Sequence, residues 1–346
     1  MTVVAILGAG AMGSALATPL RRRGHEVRLW GTHLDDALLA EVDAGRPHPR
    51  TGAPVPRGVL TFRAARLAEA LAGADLAVLA VSSEGVRGTI AAAAPHLDGV
   101  PLLGITSKGL LRDGEGPVRI LPDVVGEALA GLAAPPALVA IGGPCKANEV
   151  AAGRPTATVY GAAEAESARA AARITQTDDY RVAVTDDLVG LELAAPLKNV
   201  YAIALGVLDG LASGGGEPWH DLKSAVFAQA VAEMAALADA AGGRAETVQG
   251  LAGTGDLQVT ALSGRNRAYG ERLGAGEPAA RALAEMAAAQ QTVEGVPALR
   301  MAVVLAARLL PADRTPLLAA IAALVDGGER DPAARLAAAA LPSPVP

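Results

Sequence analysis

Short apolar, β-branched runs alternate with stretches whose apolar positions recur every three or four residues through the first half of the chain. "VVAILG" (3–8), "EVRLW" (26–30), "DLAVLAV" (75–81), "PLLGITS" (101–107), "ALVAIGG" (137–143) and "TATVYG" (156–161) read as strands. A helix over Met12–Arg22 separates the first two. Near-continuous apolar strands spaced by helices predict a parallel sheet covered on both faces. From about Asp186 the pattern changes to long Ala/Leu/Met helical periodicity, as in "SAVFAQAVAEMAALADAAG" (224–242). The organisation expected is α/β: a doubly wound domain over 1–186, an all-α domain over 187–341 and a disordered tail over 342–346. "HPRTGAPVPRG" (48–58) and "LASGGGEPWHD" (211–221) read as loops from their Gly/Pro content.

Composition narrows the partners. A net charge of −6 with no Lys/Arg run argues against nucleic acid or an anionic membrane. The start "MTVVAILGAG" enters a strand at once, and no apolar run reaches the roughly 20 residues of a membrane helix, so no membrane insertion is expected. The one cysteine, Cys145, excludes an internal disulfide and fits a reducing cytoplasm. The five histidines do not cluster with cysteines or carboxylates, so no metal is expected. At 51% hydrophobic but only 2% aromatic, the chain should pack helices through small side chains, and a homodimer is expected from those faces.

"GAGAMG" places Gly8, Gly10 and Gly13 in G-x-G-x-x-G spacing, directly after a strand and at the start of a helix. In that βαβ setting the first glycine allows the turn, the second lets backbone amides reach a pyrophosphate, and the third lets helix lie on strand. The first turn, with Ala11 and Met12, offers unpaired amides to the anion. This is a Rossmann-type dinucleotide site, for NAD or NADP. The second strand ends "LWGTH", without the acid that usually meets an adenosine ribose and without an arginine for a 2′-phosphate; Thr32 suits either cofactor.

Only four of the 30 Lys+Arg residues are lysines: Lys108, Lys146, Lys198 and Lys223. A lysine kept where the chain otherwise uses arginine can be there because its amine titrates. Lys198 lies in the apolar "LELAAPLKNVYAIALGVLDGL" (191–211), where desolvation favours a proton-transfer role; the competing account is a snorkelling side chain. Lys108 in "TSKGL" falls past a strand's C-terminal end, the edge where such sheets bind ligands, unless it is a solvated loop lysine. "GTGDLQVTALSGRNRAYG" (253–270) gathers Asp256, Thr260, Arg265, Asn266 and Arg267. If Gly264 breaks the chain, Arg265 and Asn266 begin a helix suited to a phosphate; a charged surface turn is the alternative. Cys145 reads as a small packing residue rather than a nucleophile.

Together "GAGAMGSALA", "TSKGL", "GGPCKANEV", "LKNVYAIALGVLDGL", "GLAGTGDLQVT", "SGRNRAYG" and "VEGVPAL" resemble, in order and spacing, the bacterial NAD(P)-dependent glycerol-3-phosphate dehydrogenases. The resemblance implies Lys198 as proton donor and acceptor, Lys108 in contact with substrate and cofactor, and Asp256 beside Lys198. It implies Arg265 and Asn266 at the substrate phosphate, Arg265 also at the cofactor, and Glu294 by the cofactor. Gly143 and Ala147 would line substrate and cofactor, with Cys145, Asn199 and Thr260 on the substrate side. The chain departs from the family at Cys145, where Ser or Thr is usual, at Lys146, and in the longer segment after "DGL". The implied reaction moves a hydride between NAD(P)H and a small phosphorylated ketone, dihydroxyacetone phosphate, giving sn-glycerol 3-phosphate. A related dehydrogenase of another hydroxy or keto compound and a non-catalytic dinucleotide-binding redox sensor are the alternatives.

Overall fold

The computed structural model describes residues 1–213, 215–343 and 345. Of the tail expected over 342–346, Pro344 and Pro346 lie outside the described residues. The chain forms two compact units, one of residues 1–108 and 119–191, the other of 109–118 and 192–346.

The strands are β1 (Val3–Leu7), β2 (Glu26–Trp30), β3 (Val59–Phe62), β4 (Leu76–Leu79), β5 (Leu102–Ile105), β6 (Leu110–Leu111), β7 (Arg119–Ile120), β8 (Ala137–Gly142), β9 (Thr156–Gly161) and β10 (Tyr180–Thr185). Eight of them make one sheet in the order β10-β9-β8-β5-β4-β1-β2-β3. Its pairs are parallel except β8 with β9, which run antiparallel. The expected wholly parallel sheet is therefore corrected at one pair. An apolar run buried on both faces reads the same in either direction. Strands β1 and β4 are neighbours although β2 and β3 lie between them in sequence, so the winding reverses there. A doubly wound sheet opens its ligand crevice at such a reversal, outside the carboxyl ends of the strands.

The first unit's helices are α1 (Ala11–Arg22), α2 (Asp36–Asp43), α3 (Leu67–Leu71), α4 (Val86–Ala93), α5 (Leu121–Leu129), α6 (Ala147–Ala151) and α7 (Ala165–Thr175). Helix α1 packs on α6 and β2, burying Ala15, Leu16, Ala17 and Leu20 among Val4, Ile6, Val27 and Leu29. Leu16 and Leu20 lie four residues apart, on the one face that an α-helix presents at that spacing.

From α8 (Leu188–Ala212) onward the described residues form helices and no strands: α9 (His220–Ala240), α10 (Ala245–Gln249), α11 (Asp256–Leu262), α12 (Arg265–Gly274), α13 (Ala279–Ala288), α14 (Gly295–Leu309), α15 (Pro316–Val325) and α16 (Pro332–Ala340). A π-helical turn over Leu251–Gly255 leads into α11. The loop expected over 211–221 is shorter than its glycines suggested, since His220 and Asp221 already belong to α9.

Helix α8 corrects the expectation about apolar length. Its 25 residues are long and apolar enough to cross a membrane, yet 89% of its most apolar stretch is buried inside the protein. One face lies against α12 without intervening side chains. A Cβ at Gly206 or Gly210 would collide with the carbonyls of Arg267 and Glu271, and one at Gly270 or Gly274 with those of Ile203 and Val207. Two G-x-x-x-G repeats therefore meet backbone to backbone.

A second tie crosses the unit's interior. Glu233 of α9, 1% exposed, accepts from the amides of Leu317 (2.6 Å) and Leu318 (2.9 Å) at the start of α15. It also accepts from the Tyr201 hydroxyl of α8 (3.0 Å) and from Gln229 (2.9 Å). It caps a helix 84 residues away, a role usually taken by a neighbour in sequence. Burial raises its carboxyl above the ordinary 4.5, outweighing the lowering effect of these donors.

Candidate active site

In the first unit the candidate residues follow the ends of parallel strands. After β1, Gly8 has φ +126°, and a Cβ there would lie 2.7 Å from the Ala80 carbonyl oxygen. Gly13 is equally constrained, since its Cβ would strike the Gly8 carbonyl. Gly10 is different. The nearest atom to a Cβ at Gly10 is Ala80 O at 4.0 Å, so the fold leaves room for a side chain there. A side chain would instead fill the mouth of the loop, beside half-buried Ala11 and Met12. Gly10 is also the N-cap of α1, and no side chain caps that end. An open glycine next to uncapped helix amides fits a dinucleotide pyrophosphate.

Thr32 follows β2, and its surroundings amend the sequence reading. The Asp35 carboxylate folds back onto Thr32, accepting from its amide and its hydroxyl, both at 2.9 Å. An acid does stand near this strand end. It was hidden because it lies in a turn five residues beyond Trp30 rather than in the strand. After β5, Thr106 and Ser107 donate to the carbonyls of Leu79 (3.2 Å) and Val81 (2.6 Å), which stitches the strand end to β4 and holds half-buried Lys108 at the sheet's carboxyl edge.

After β8, Gly143 takes φ +92°, and Cys145 and Ala147 follow, both half-buried. The Cys145 thiol lies 3.9 Å from the Tyr180 hydroxyl, itself 3.5 Å from that of Tyr160. Burial pushes Tyr160 up to about 12 and Tyr180 well above 10, so these phenols stay protonated.

The second unit gathers another set. Lys198 of α8 is 6% exposed and forms an ion pair with Asp256, 2% exposed, the first residue of α11. The lysine is thus held inside on a carboxylate rather than extended into water. The next residue, Asn199, donates to Glu294 at 3.3 Å. Arg265 is the exposed first residue of α12, after Gly264 as N-cap, and reaches Glu294 at 3.4 Å. Buried Asn266 accepts from the Gly295 amide at 2.7 Å through its Oδ1. A Cβ at Gly295 would lie 2.5 Å from the Asn199 carbonyl oxygen and 2.9 Å from Asn266 Oδ1, so α8, α12 and α14 meet there. Thr260 is buried, but its hydroxyl is used within α11, donating to the Asp256 carbonyl at 2.7 Å.

Helix α12 is fixed from its other side as well. Asp209 of α8 accepts from Arg267 (2.7 Å) and from Lys223 of α9 (2.5 Å). Sequence reading passed over both this pairing and the glycine seam. Gly206/Gly210 and Gly270/Gly274 carried a visible signal, small residues four apart on one helix face. Among the described residues no group of three or more His, Cys, Asp or Glu is placed to hold a metal ion.

Comparison with known proteins follows the same division. Two family models, the NAD-dependent glycerol-3-phosphate dehydrogenase N-terminus and C-terminus, match residues 3–168 and 187–334. The chain is 39% identical over 284 residues to an NADP(+)-dependent glycerol-3-phosphate dehydrogenase of Archaeoglobus fulgidus, covering 82% of this chain and 83% of that one. It is 38% identical over 296 residues to a glycerol-3-phosphate dehydrogenase [NAD(P)+] of Halorhodospira halophila, covering 85% and 84%. A crystal structure of glycerol-3-phosphate dehydrogenase from Coxiella burnetii superposes with a TM-score of 0.81 at 30% identity, over 96% of this chain and 97% of that one.

Proposed function

The chain belongs to the NAD-dependent glycerol-3-phosphate dehydrogenase family, and we propose how its own residues carry the reaction: Lys198 moves the proton at the C2 oxygen as sn-glycerol 3-phosphate and dihydroxyacetone phosphate interconvert. The observation that carries this reading is the buried Lys198–Asp256 pair.

The dinucleotide supplies or accepts the hydride. Gly8, Gly10 and Gly13 shape its phosphate cradle, Ala11 and Met12 add first-turn amides, and Thr32, Lys108, Ala147, Arg265 and Glu294 complete its contacts. In the reducing direction the carbonyl π electrons move to oxygen as the carbon gains a hydride. The Lys198 ammonium gives that oxygen its proton, and in the oxidising direction the neutral amine takes it back. Asp256 keeps the amine aimed and steadies the ammonium. Lys108 adds positive charge where the oxyanion develops; one donor so placed contributes about 2.7–4 kcal/mol. Arg265 and the uncapped amides of α12 take the substrate phosphate. Asn266 spends Oδ1 on Gly295, which leaves its Nδ2 to donate to a phosphate oxygen. Asn199, Thr260, Gly143 and Cys145 line the substrate side.

We assign dinucleotide binding to 1–186 and substrate binding to 187–341; the compact units differ from these bounds in dividing between Leu191 and Glu192 and in grouping 109–118 with the second unit. The single cysteine supports a cytoplasmic setting, and the small-residue helical faces support a homodimer. The test is an initial-rate assay of NADH and NADPH against dihydroxyacetone phosphate and keto-acid controls. Lys198→Met should lower turnover by at least about 10²-fold while NADH still binds. Turnover within a few fold of the parent removes Lys198 from the mechanism.

A further inference from the structure

One buried histidine outside the groups described so far bears directly on the glycine loop. Ala9, between Gly8 and Gly10, is fully buried, and its carbonyl accepts two side-chain hydrogen bonds. One comes from Ser14 Oγ at 3.0 Å, the other from His48 Nε2 at 3.0 Å. His48 is 0% exposed. It belongs to the proline-rich loop between α2 and β3, where Pro47 and Pro54 form a bridge. The Arg50 amide donates to His48 Nδ1 at 3.2 Å. With Nδ1 accepting from Arg50, Nε2 is the nitrogen that donates to Ala9.

The consequence follows from peptide geometry. In a trans peptide the carbonyl and the N–H point in opposite directions. Drawing the Ala9 carbonyl inward onto His48 and Ser14 therefore turns the Gly10 N–H outward, at the loop's open mouth. Two donors on one carbonyl also polarise that peptide and strengthen its N–H as a donor. We infer that His48, assisted by Ser14, is a positioning residue that aims the Gly10 amide at the dinucleotide pyrophosphate. The loop at 46–54 is then part of the cofactor-binding apparatus. This inference rests on the assignment of the Gly8–Gly13 loop as the phosphate cradle.

The test uses the full chain, NADH fluorescence titration and steady-state kinetics. His48→Phe keeps a ring in the buried site but removes its donor. It should raise the NADH Kd about tenfold or more, the scale of one hydrogen bond supporting a charged ligand. The rise should appear in the KM for the dinucleotide and not in that for the ketone. His48→Gln, which returns an N–H near the Nε2 position, should restore the Kd to within about threefold. Equal increases in both KM values, or no recovery with Gln, would reduce His48 to packing and overturn the proposal. Should His48→Phe fail to fold, Ser14→Ala decides: a higher NADH Kd supports the carbonyl anchor and an unchanged one refutes it. Gly10→Val separates the two levels. Unchanged NADH binding by Gly10→Val sinks the cradle itself; lost binding there with a normal Kd in His48→Phe sinks only the role of His48.

Discussion

Replacing Asp256 by Asn tests whether the Lys198 ammonium is as sequestered as it looks. Asparagine keeps the size and an acceptor oxygen but removes the charge from a pair whose residues are 6% and 2% exposed. Breaking a buried ion pair from one side typically costs about 3–5 kcal/mol. The structure also sets a ceiling. A buried ammonium left without its carboxylate can shed its proton, and against an ordinary lysine pKa of about 10.4 that costs about 4.6 kcal/mol at pH 7, at about 1.4 kcal/mol per unit. A loss of about 3–4.6 kcal/mol is therefore expected. If the lysine is neutral in the folded variant, the unfolded chain binds one more proton than the folded one. The variant's stability then rises with pH relative to the parent, by about 1.4 kcal/mol per unit. Between pH 7 and pH 9 about 2.7 kcal/mol of the deficit should return. Urea unfolding of both proteins at pH 7, 8 and 9 measures this directly, and Lys198→Met in the Asp256→Asn background should recover most of the loss. A deficit below about 1 kcal/mol, the range of solvent-exposed pairs, would refute the burial argument.

Arg265→Ala should lower kcat/KM for dihydroxyacetone phosphate by about 30-fold or more, the loss of a charge-assisted contact, while phosphate-free dihydroxyacetone is much less affected; equal losses would break the phosphate assignment. Glu233 should make the parent less stable as pH rises. Its folded pKa is raised by burial, so between 4.5 and that raised value the folded state holds a proton that the unfolded chain has released. Glu233→Gln should flatten that part of the stability-versus-pH curve, and an unchanged slope would show that another group is responsible.

Much of the architecture was legible because buried strands write themselves as unbroken apolar runs. Of the eight-stranded sheet, the two strands the pattern did not reveal, β3 and β10, are the outermost; β6 and β7, two residues each, were too short to show in it. β3 is four residues long and follows a Gly/Pro loop, and β10 exposes alternate positions, Arg181 and Ala183, as edges do. The antiparallel step between β8 and β9 left no trace, because strand direction does not alter which residues are apolar. The site divides in the same way. The glycine spacing, the position of Lys198 in an apolar helix and the helix start at Arg265 could be read locally. The partner of Lys198 came only from the family resemblance, since Asp256 lies 58 residues away and only packing brings the two together. His48 was missed for a related reason. A lone histidine among prolines has no periodic pattern, and its importance comes from a carbonyl 39 residues earlier.

The glycine contact between α8 and α12 has a consequence for substrate choice. Where side chains fill an interface, a new rotamer can absorb a shift of one helix along another. Here carbonyl oxygens rest on Cα atoms, and no torsion is available to reset. The interval between the ammonium on one helix and the guanidinium on the other is thereby a built-in gauge. If Lys198 and Arg265 take the two ends of the substrate as proposed, this gauge should favour phosphorylated chains of one length, and variants selected for longer ones should change the turns around the gauge rather than its rails.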